Sequence, residues 1–311
     1  MNVKGRKIFI GLSGGVDSAV SAALLKERGA QVTGVFIKGW YPPGMPCTWA
    51  NERRDAMRVA ARLHIPFLTL DASAEYKKSV IDYLIAEYRA GRTPNPDVMC
   101  NREVKFGAFY RFAKENGADA IAMGHYRSGE KDQSYFLWAV PKNVLAATLF
   151  PVGQMEKSEV RKLAKKFNLP VAEKKDSQGI CFLGSVSVKE FLEKELGADN
   201  PALLYTIGQR VPRPDGPWYV IGKDVAKKEV AVSRSRKQEA RTEIKFENQN
   251  WFIEPTQVTE AQYRYRGVRI QGRVEGNHFV SDEPLPDLPV PGQSIVFYRD
   301  GELIGGGIIA G

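Results

Sequence analysis

Lys7-Ile8-Phe9-Ile10-Gly11-Leu12-Ser13-Gly14-Gly15-Val16-Asp17-Ser18 runs from an apolar strand straight into a Ser-Gly-Gly-x-Asp-Ser turn that opens a helix. Glycines let the backbone curl so that several N–H groups point inward. Ser13 and Ser18 add hydroxyls, and the positive end of the helix completes an anion cradle. Gly14-Gly15 alone would fit any glycine-rich strand-to-helix turn; the whole motif after a strand reads as a pyrophosphate-binding loop. The lysine of a Walker loop is missing, which suits ATP cleaved between its α- and β-phosphates to give AMP and pyrophosphate. Adenylation is the first expectation.

Working outward, apolar strands alternate with helical patterns. Lys7–Gly11, Val32–Ile37, Phe67–Leu70 and Ala120–Gly124 read as strands. Helices are expected at residues 17–28 behind an Asp/Ser cap, and at 52–63 with Ala56, Val59, Ala60 and Leu63 on one face. Two more are expected at 74–89, with a stripe of Val80, Ile81, Leu84, Ile85 and Tyr88, and at 103–116, ending at Gly117. Such alternation predicts an α/β fold with a doubly wound parallel sheet. Its ligand crevice would lie at the carboxyl ends of the strands, lined by Gly11–Ser18, the chain after Ile37, and Gly124-His125.

After residue 184 the pattern changes to a short helix near 187–196 and then strand alternation with turns such as Asp300-Gly301. The expected domains are 1–184, 185–240 and 241–311. Tyr263-Arg264-Tyr265-Arg266 alternates aromatic and basic residues, and Gly267 then shifts the apolar phase to Val268 and Ile270 as a bulge would. A half-buried strand with Tyr inward and Arg in solvent gives this pattern, and so does a strand facing RNA.

The chain has 311 residues, 43% hydrophobic and 26% charged, and no apolar run long enough to span a membrane. Its first strand follows Met-Asn-Val-Lys-Gly-Arg-Lys at once, leaving no room for a signal peptide, so cytoplasm is the expected compartment. The net charge is +9, and Lys plus Arg outnumber Asp plus Glu by 28 to 18 in residues 1–184 against 17 to 18 in 185–311. A basic face beside a nucleotide site points to a polyanionic second substrate such as RNA. Solubility charge alone would leave the same count.

Three cysteines are too few for a disulfide scaffold, and no Cys-x-x-Cys pair supports a zinc site. Cys100 follows Thr93-Pro-Asn-Pro-Asp-Val-Met, and Cys181 follows Lys174-Lys-Asp-Ser-Gln-Gly-Ile. A thiol near a helix start or beside lysines has its thiolate favoured. Either cysteine could equally be a small buried hydrophobe. Together with an ATP loop they suggest sulfur chemistry.

These motifs, with Gly-His-Tyr at 124–126, Lys-Asp-Gln-Ser-Tyr at 131–135, Asp-Ser-x-Gly-Ile-Cys-Phe at 176–182, Tyr-Thr-Ile-Gly-Gln-Arg at 205–210 and Arg-Tyr-Arg at 264–266, give a chain that resembles the tRNA-specific 2-thiouridylases over nearly its whole length. The resemblance implies a catalytic α/β domain, a small central domain and a C-terminal β-barrel. It implies ATP held by Gly11, Leu12, Ser13, Gly14, Gly15, Val16, Asp17, Ser18, Ile37 and Gly124, with Mg2+ offsetting phosphate charge. Asn95, Pro96 and Asp97 would meet a flipped-out wobble uridine (position 34) in the anticodon region of tRNA. His125, Lys131, Asp132, Gln133, Arg264, Tyr265 and Gln293 would touch the tRNA. Cys181 would carry a persulfide, Cys100 would be its catalytic partner, and Asp97 would shuttle protons. A cysteine desulfurase or sulfur-relay protein would supply the sulfur, and no membrane partner is implied. An iron–sulfur cluster on Asp97, Cys100 and Cys181 is the rival chemistry.

Against the usual pattern of the family it resembles, the chain is shorter between Tyr126 and Lys131 and between Glu195 and Tyr205, and Cys47 matches no catalytic position. Two other classes stay in view. An amidotransferase-type ATP pyrophosphatase would need an ammonia source, and a non-enzymatic RNA-binding protein would not need the ATP loop and both cysteine loops together.

Overall fold

The computed structural model describes residues 2–43, 49–175, 188–197, 199–235 and 241–311, the side chains of residues 130 and 188 aside. Cys47, the segment 176–182 and with it Cys181 lie outside the described residues. By contacts the chain divides into two compact units, Met1–Val80 with Met99–Ser185, and Ile81–Val98 with Val186–Gly311.

In the first unit, β1 (Lys7–Gly11), β2 (Gln31–Lys38), β3 (Phe67–Asp71), β4 (Ala120–Ala122) and β5 (Thr148–Leu149) form a parallel sheet in the order β3-β2-β1-β4-β5. This is the doubly wound arrangement, with its switch point between β1 and β4. Ile8 and Ile10 of β1 are fully buried, as expected of a central strand covered on both faces. Helices α1 (Val16–Glu27), α2 (Trp49–Leu63), α6 (Phe109–Glu115), α7 (Lys142–Ala146) and α8 (Lys157–Lys166) belong to this unit. The stripe Ala56, Val59, Ala60 and Leu63 is the buried face of α2, and α1 gives way to Gly29, at φ +80°. Ala120–Gly124 proves shorter as a strand, because the ladder stops at Ala122 and Gly124 instead packs against the start of α1.

Both longer helices of the region 74–116 hold a surprise. The stretch α3 (Ser73–Tyr76), Lys77–Ile81, α4 (Asp82–Arg89) contains one π-helical segment, and α5 (Pro96–Met99) runs into a second at Cys100–Ala108 before α6. The sequence expectation of a helix from 103 therefore starts too late. Such segments concentrate at functional sites, where an inserted residue re-aims the side chains around it.

In the second unit, α4 packs on α9 (Val188–Leu196) and α10 (Pro201–Leu204), and Lys223 lies 5.9 Å from the ring centre of Tyr88. A three-stranded sheet, β6 (Arg210–Val211), β7 (Trp218–Asp224) and β8 (Glu229–Ser233), precedes a closed barrel. The barrel consists of β9 (Glu243–Trp251), β10 (Glu260–Gln262), β11 (Ile270–Glu275), β12 (His278–Ser281), β13 (Ser294–Arg299) and β14 (Glu302–Ile309), in the order β10-β11-β12-β9-β14-β13. Closure removes the exposed edges. Trp251 stacks on Phe297 at 4.9 Å inside it, and Gly305 of β14 leaves room for that indole, since a Cβ would meet its Cε3 at 2.5 Å. Asp300 and Gly301, both at positive φ, turn β13 back into β14.

Tyr263–Arg266 is a turn and not the strand that its alternation suggested. Arg266 adopts φ +61° and Val268 is 65% exposed, so after Gly267 only Ile270, at the start of β11, turns towards the barrel core.

Candidate functional site

The phosphate loop is tied by its own hydroxyls. Ser13 N–H donates to Ser18 Oγ at 3.2 Å, Gly15 N–H to Ser13 Oγ at 3.3 Å, and Ser18 Oγ–H to Gly15 O at 3.3 Å. Gly15 is the N-cap of α1, and no side chain caps it. The expected Asp/Ser cap is thus absent. Asp17 lies in the first turn, and its Oδ1 accepts from Lys157 Nζ and Tyr126 OH, both at 2.6 Å. Leaving the helix's first N–H groups without a side-chain cap keeps them for an incoming anion.

Two glycines make the loop possible. Gly14 sits at φ +76° with α2 beneath it, where a Cβ would run into the Glu52 carbonyl oxygen and come 3.2 Å from Asp55 Cβ. Gly124 lets the end of β4 approach α1, where a Cβ would lie 2.9 Å from Ser18 N. Gly15, by contrast, has an ordinary φ and only Ser13 Oγ nearby.

At the carboxyl ends of β1 and β2 a largely apolar cavity opens. Its walls include Gly11, Leu12 and Ser13 of the loop, Ile37, the rings of Trp40, Tyr41 and Tyr76, and Glu52, Met123, Lys105 and Cys100. Four of the expected nucleotide residues and one expected catalytic cysteine therefore share one chamber. Cys100 is buried and opens the second π segment, and the next residue, Asn101, donates from Nδ2 to Phe136 O at 3.1 Å.

His125 takes no part in this chamber's rim. It is packed against Phe106 and Phe150, with ring centres 5.6 and 6.3 Å away, and burial together with nearby Lys105 pushes its pKa down to about 3. It is a neutral imidazole with almost no surface to offer RNA. Its neighbours Asp132 and Gln133 serve the local fold: Asp132 Oδ1 accepts from Ser134 N–H at 2.8 Å and Gln133 Oε1 from Tyr126 N–H at 3.1 Å. Lys131 is exposed.

In the second unit, Asn95 Oδ1 accepts from Asp97 N–H at 3.2 Å and turns the chain into α5. The barrel holds this loop from behind. Gln293 Nε2 donates to Thr93 O at 2.7 Å and to Pro94 O at 3.3 Å, and Thr93 N–H donates to Pro291 O at 2.8 Å. Asn95, Pro96 and Asp97 are half-buried on that support. Gln293, expected on tRNA, uses its amide nitrogen here. Arg264 Nη2 donates to Leu288 O at 3.0 Å, and Tyr263 OH donates to Asp287 O at 2.9 Å. Tyr265 and Arg266 are left as the outward pair of that turn, the guanidinium 5.3 Å from the ring centre.

Sequence reasoning missed the two lysines that flank the phosphate loop. Lys174 Nζ donates to Gly14 O at 3.1 Å and to Asp55 Oδ2 at 2.7 Å, and Lys157 bridges to Asp17. The only local signal was the cationic run Lys174-Lys175.

Residues 6–130 and 127–185 match a family model described as the tRNA methyl transferase HUP domain, and residues 241–309 one described as the aminomethyltransferase beta-barrel domain. The chain is similar to the tRNA-specific 2-thiouridylase MnmA of Marinomonas sp. (strain MWYL1), with 40% identity over 354 aligned positions covering 98% of this chain and 91% of that protein. It is 38% identical to the tRNA-specific 2-thiouridylase MnmA of Lacticaseibacillus paracasei (strain ATCC 334), covering 97% and 94%. Alignments of this length against 311 residues mean that the relatives carry segments this chain lacks. Among solved structures, a 4-thiouridine synthetase–RNA complex with bound ATP aligns at TM-score 0.39 and 22% identity over 64% of this chain and 51% of that one, too weak a likeness to bear on function.

Proposed function

We propose, from the premise that this chain belongs to the tRNA-specific 2-thiouridylase family, that it adenylates the wobble uridine of tRNA and replaces its O2 with sulfur carried on Cys181. The chain is a tRNA sulfurtransferase with an ATP-pyrophosphatase fold. The observation that carries the finer reading is the shared chamber: the phosphate loop, Ile37 and Cys100 line one cavity.

ATP would lay its phosphates on the N–H groups at the start of α1 and its base against the apolar wall of Ile37 and Trp40. Uracil O2 attacks the α-phosphorus and pyrophosphate leaves, which turns a poor leaving group into AMP. The terminal sulfur of a Cys181 persulfide then attacks C2 and AMP departs. Cys100 thiolate attacks Cys181 Sγ, frees the 2-thiouridine and leaves a Cys100–Cys181 disulfide, which a thiol reductant reopens. Asp97, one helical turn before Cys100 in the chain, is suited to moving the proton. Asn95 and Pro96 would frame the base. A persulfide-bearing desulfurase or relay protein reloads Cys181.

No group of three or more metal-ligating side chains occurs among the described residues, and Asp17 and Asp55 each already hold a lysine. The residues therefore fit a Mg2+ that arrives on the phosphates, where it offsets their charge, and not a protein cage. No helix among the described residues is long and apolar enough to cross a membrane.

The test is mass spectrometry of nucleosides from tRNA incubated with ATP and a persulfide donor. Cys100→Ser should load sulfur on Cys181 and release AMP without completing thiolation, whereas Cys181→Ser should make no 2-thiouridine. ADP and phosphate as products, or thiolation that requires an iron–sulfur cluster in anaerobically prepared protein, would overturn the relay.

A further inference from the structure

We propose that Lys174 and Lys157 are the phosphate-binding cations of this enzyme, held on Asp55 and Asp17 until the polyphosphate of ATP takes them over. The inference rests on the reading that ATP occupies the loop. Gly11–Ser18 contains no basic residue, so backbone N–H groups and two hydroxyls would face a triphosphate without any fixed positive charge from the loop itself. Such charge comes from elsewhere in the same unit.

Lys157 is the first residue of α8, and its ammonium lies 2.6 Å from Asp17, inside the first turn of α1. Lys174 follows that helix and reaches Gly14 O, 3.1 Å away. Gly14 is the residue whose left-handed backbone sets the loop's curl. A cation bound to the carbonyl of the cradle is within a short side-chain rotation of whatever fills the cradle. Lysine's flexible four-carbon stem permits that rotation, and its ammonium binds phosphate as a point charge.

The pairs also look reversible. Their side chains are 16% and 31% exposed for Lys157 and Asp17, and 33% and 25% for Lys174 and Asp55, so neither pair is sealed from an arriving anion. With the acids neutralised, the free loop has no excess negative charge to repel ATP. Once the phosphates claim both ammoniums, Asp17 keeps its bond from Tyr126 OH. Loss of the loop lysine is thereby compensated by two lysines brought in from distant parts of the chain.

Calorimetric titration of the full chain with ATP, pyrophosphate and AMP, each as the probe, tests this. Lys174→Met should weaken ATP and pyrophosphate about 10- to 100-fold, the size of a lost charge-assisted bond, and AMP less than about 3-fold. Lys157→Met should do the same, and Lys174→Arg should restore most of the ATP affinity. Asp55→Asn separates a ligand from a structural pair: ATP should bind as tightly as to the wild type or more tightly, because Lys174 is then released in advance. If Asp55→Asn and Lys174→Met lose ATP affinity equally, or if AMP falls in step with ATP, the lysines are structural and the proposal is overturned. A wild-type chain that binds none of the three probes overturns the ATP reading itself, and this one with it.

Discussion

Replacing Gly14 by alanine should damage this protein far more than the same change at Gly15, although the two adjoin in one motif. Gly14 has φ +76°, where a side chain costs about 1–2 kcal/mol. Its Cβ would also collide with the Glu52 carbonyl and crowd Ala56 N at 3.3 Å, both backbone atoms of α2 that cannot rotate away. Forcing a methyl group into such a space adds about 1–3 kcal/mol. Gly14→Ala therefore carries roughly 2–5 kcal/mol of strain. Gly15 has φ −94°, and its Cβ would meet only the Ser13 hydroxyl at 3.3 Å. At a compatible backbone, alanine in place of glycine shifts stability by less than about 1 kcal/mol. The strain at Gly14 is released either as lost stability or as a reshaped loop. Urea unfolding and ATP calorimetry on both variants read these two outlets. If Gly14→Ala matches Gly15→Ala in both measurements, the packing of the loop on α2 is wrong.

Burial holds His125 neutral with a pKa of about 3, while the unfolded chain protonates it near 6.5. Between those values the unfolded state binds more protons, so stability is full above pH 6.5 and falls as pH drops. His125→Leu should flatten this slope, by up to about 1.4 kcal/mol per pH unit, in unfolding measured from pH 7 to 5; an unchanged slope would refute the burial. Gln293→Ala removes the bonds to Thr93 and Pro94 and should lower tRNA-dependent AMP formation about 10-fold or more while ATP affinity holds; equal activity would show the loop needs no such support. Affinity for tRNA should fall steeply with salt, and Arg266→Ala should reduce the slope of log affinity against log salt by about one; a salt-independent affinity contradicts the basic face. Cys47→Ser should retain thiolation, as followed by nucleoside mass spectrometry, and its loss would make that cysteine a third participant.

What could be read in the sequence depended on how local its cause was. β1, the glycine turn and α1 were legible because strand and helix periods meet at a glycine signal, and the same holds for α2 and the Asp300-Gly301 hairpin. The fold class followed from these. A π segment needs one inserted residue and carries no composition of its own, so Cys100–Ala108 went unseen. Which glycine is constrained depends on α2, a distant element, and the partners of Asp17 come from other distant positions, Tyr126 and Lys157. Tyr263–Arg266 misled because two residues of each kind in alternation look alike in a strand and in a turn; only the left-handed Arg266 distinguishes them. The cavity that joins Ile37 to Cys100 is set by the winding of the sheet and not by any one segment.

The hold of Pro291 and Gln293 on Thr93 and Pro94 spans about 200 positions of the chain. It has a consequence for inheritance. Gly292 sits at φ +90° with its Cβ direction 3.0 Å from Thr93 N, so the barrel turn and the segment at 92–94 fit each other without slack. A recombination event that exchanged the terminal barrel with that of a relative would bring a new turn against an old loop. Residues 81–98 and the barrel should thus be inherited as one block, although residues 99–240 stand between them in the chain. Substitutions should accumulate in these two stretches in pairs, and a hybrid should work only when both come from the same parent.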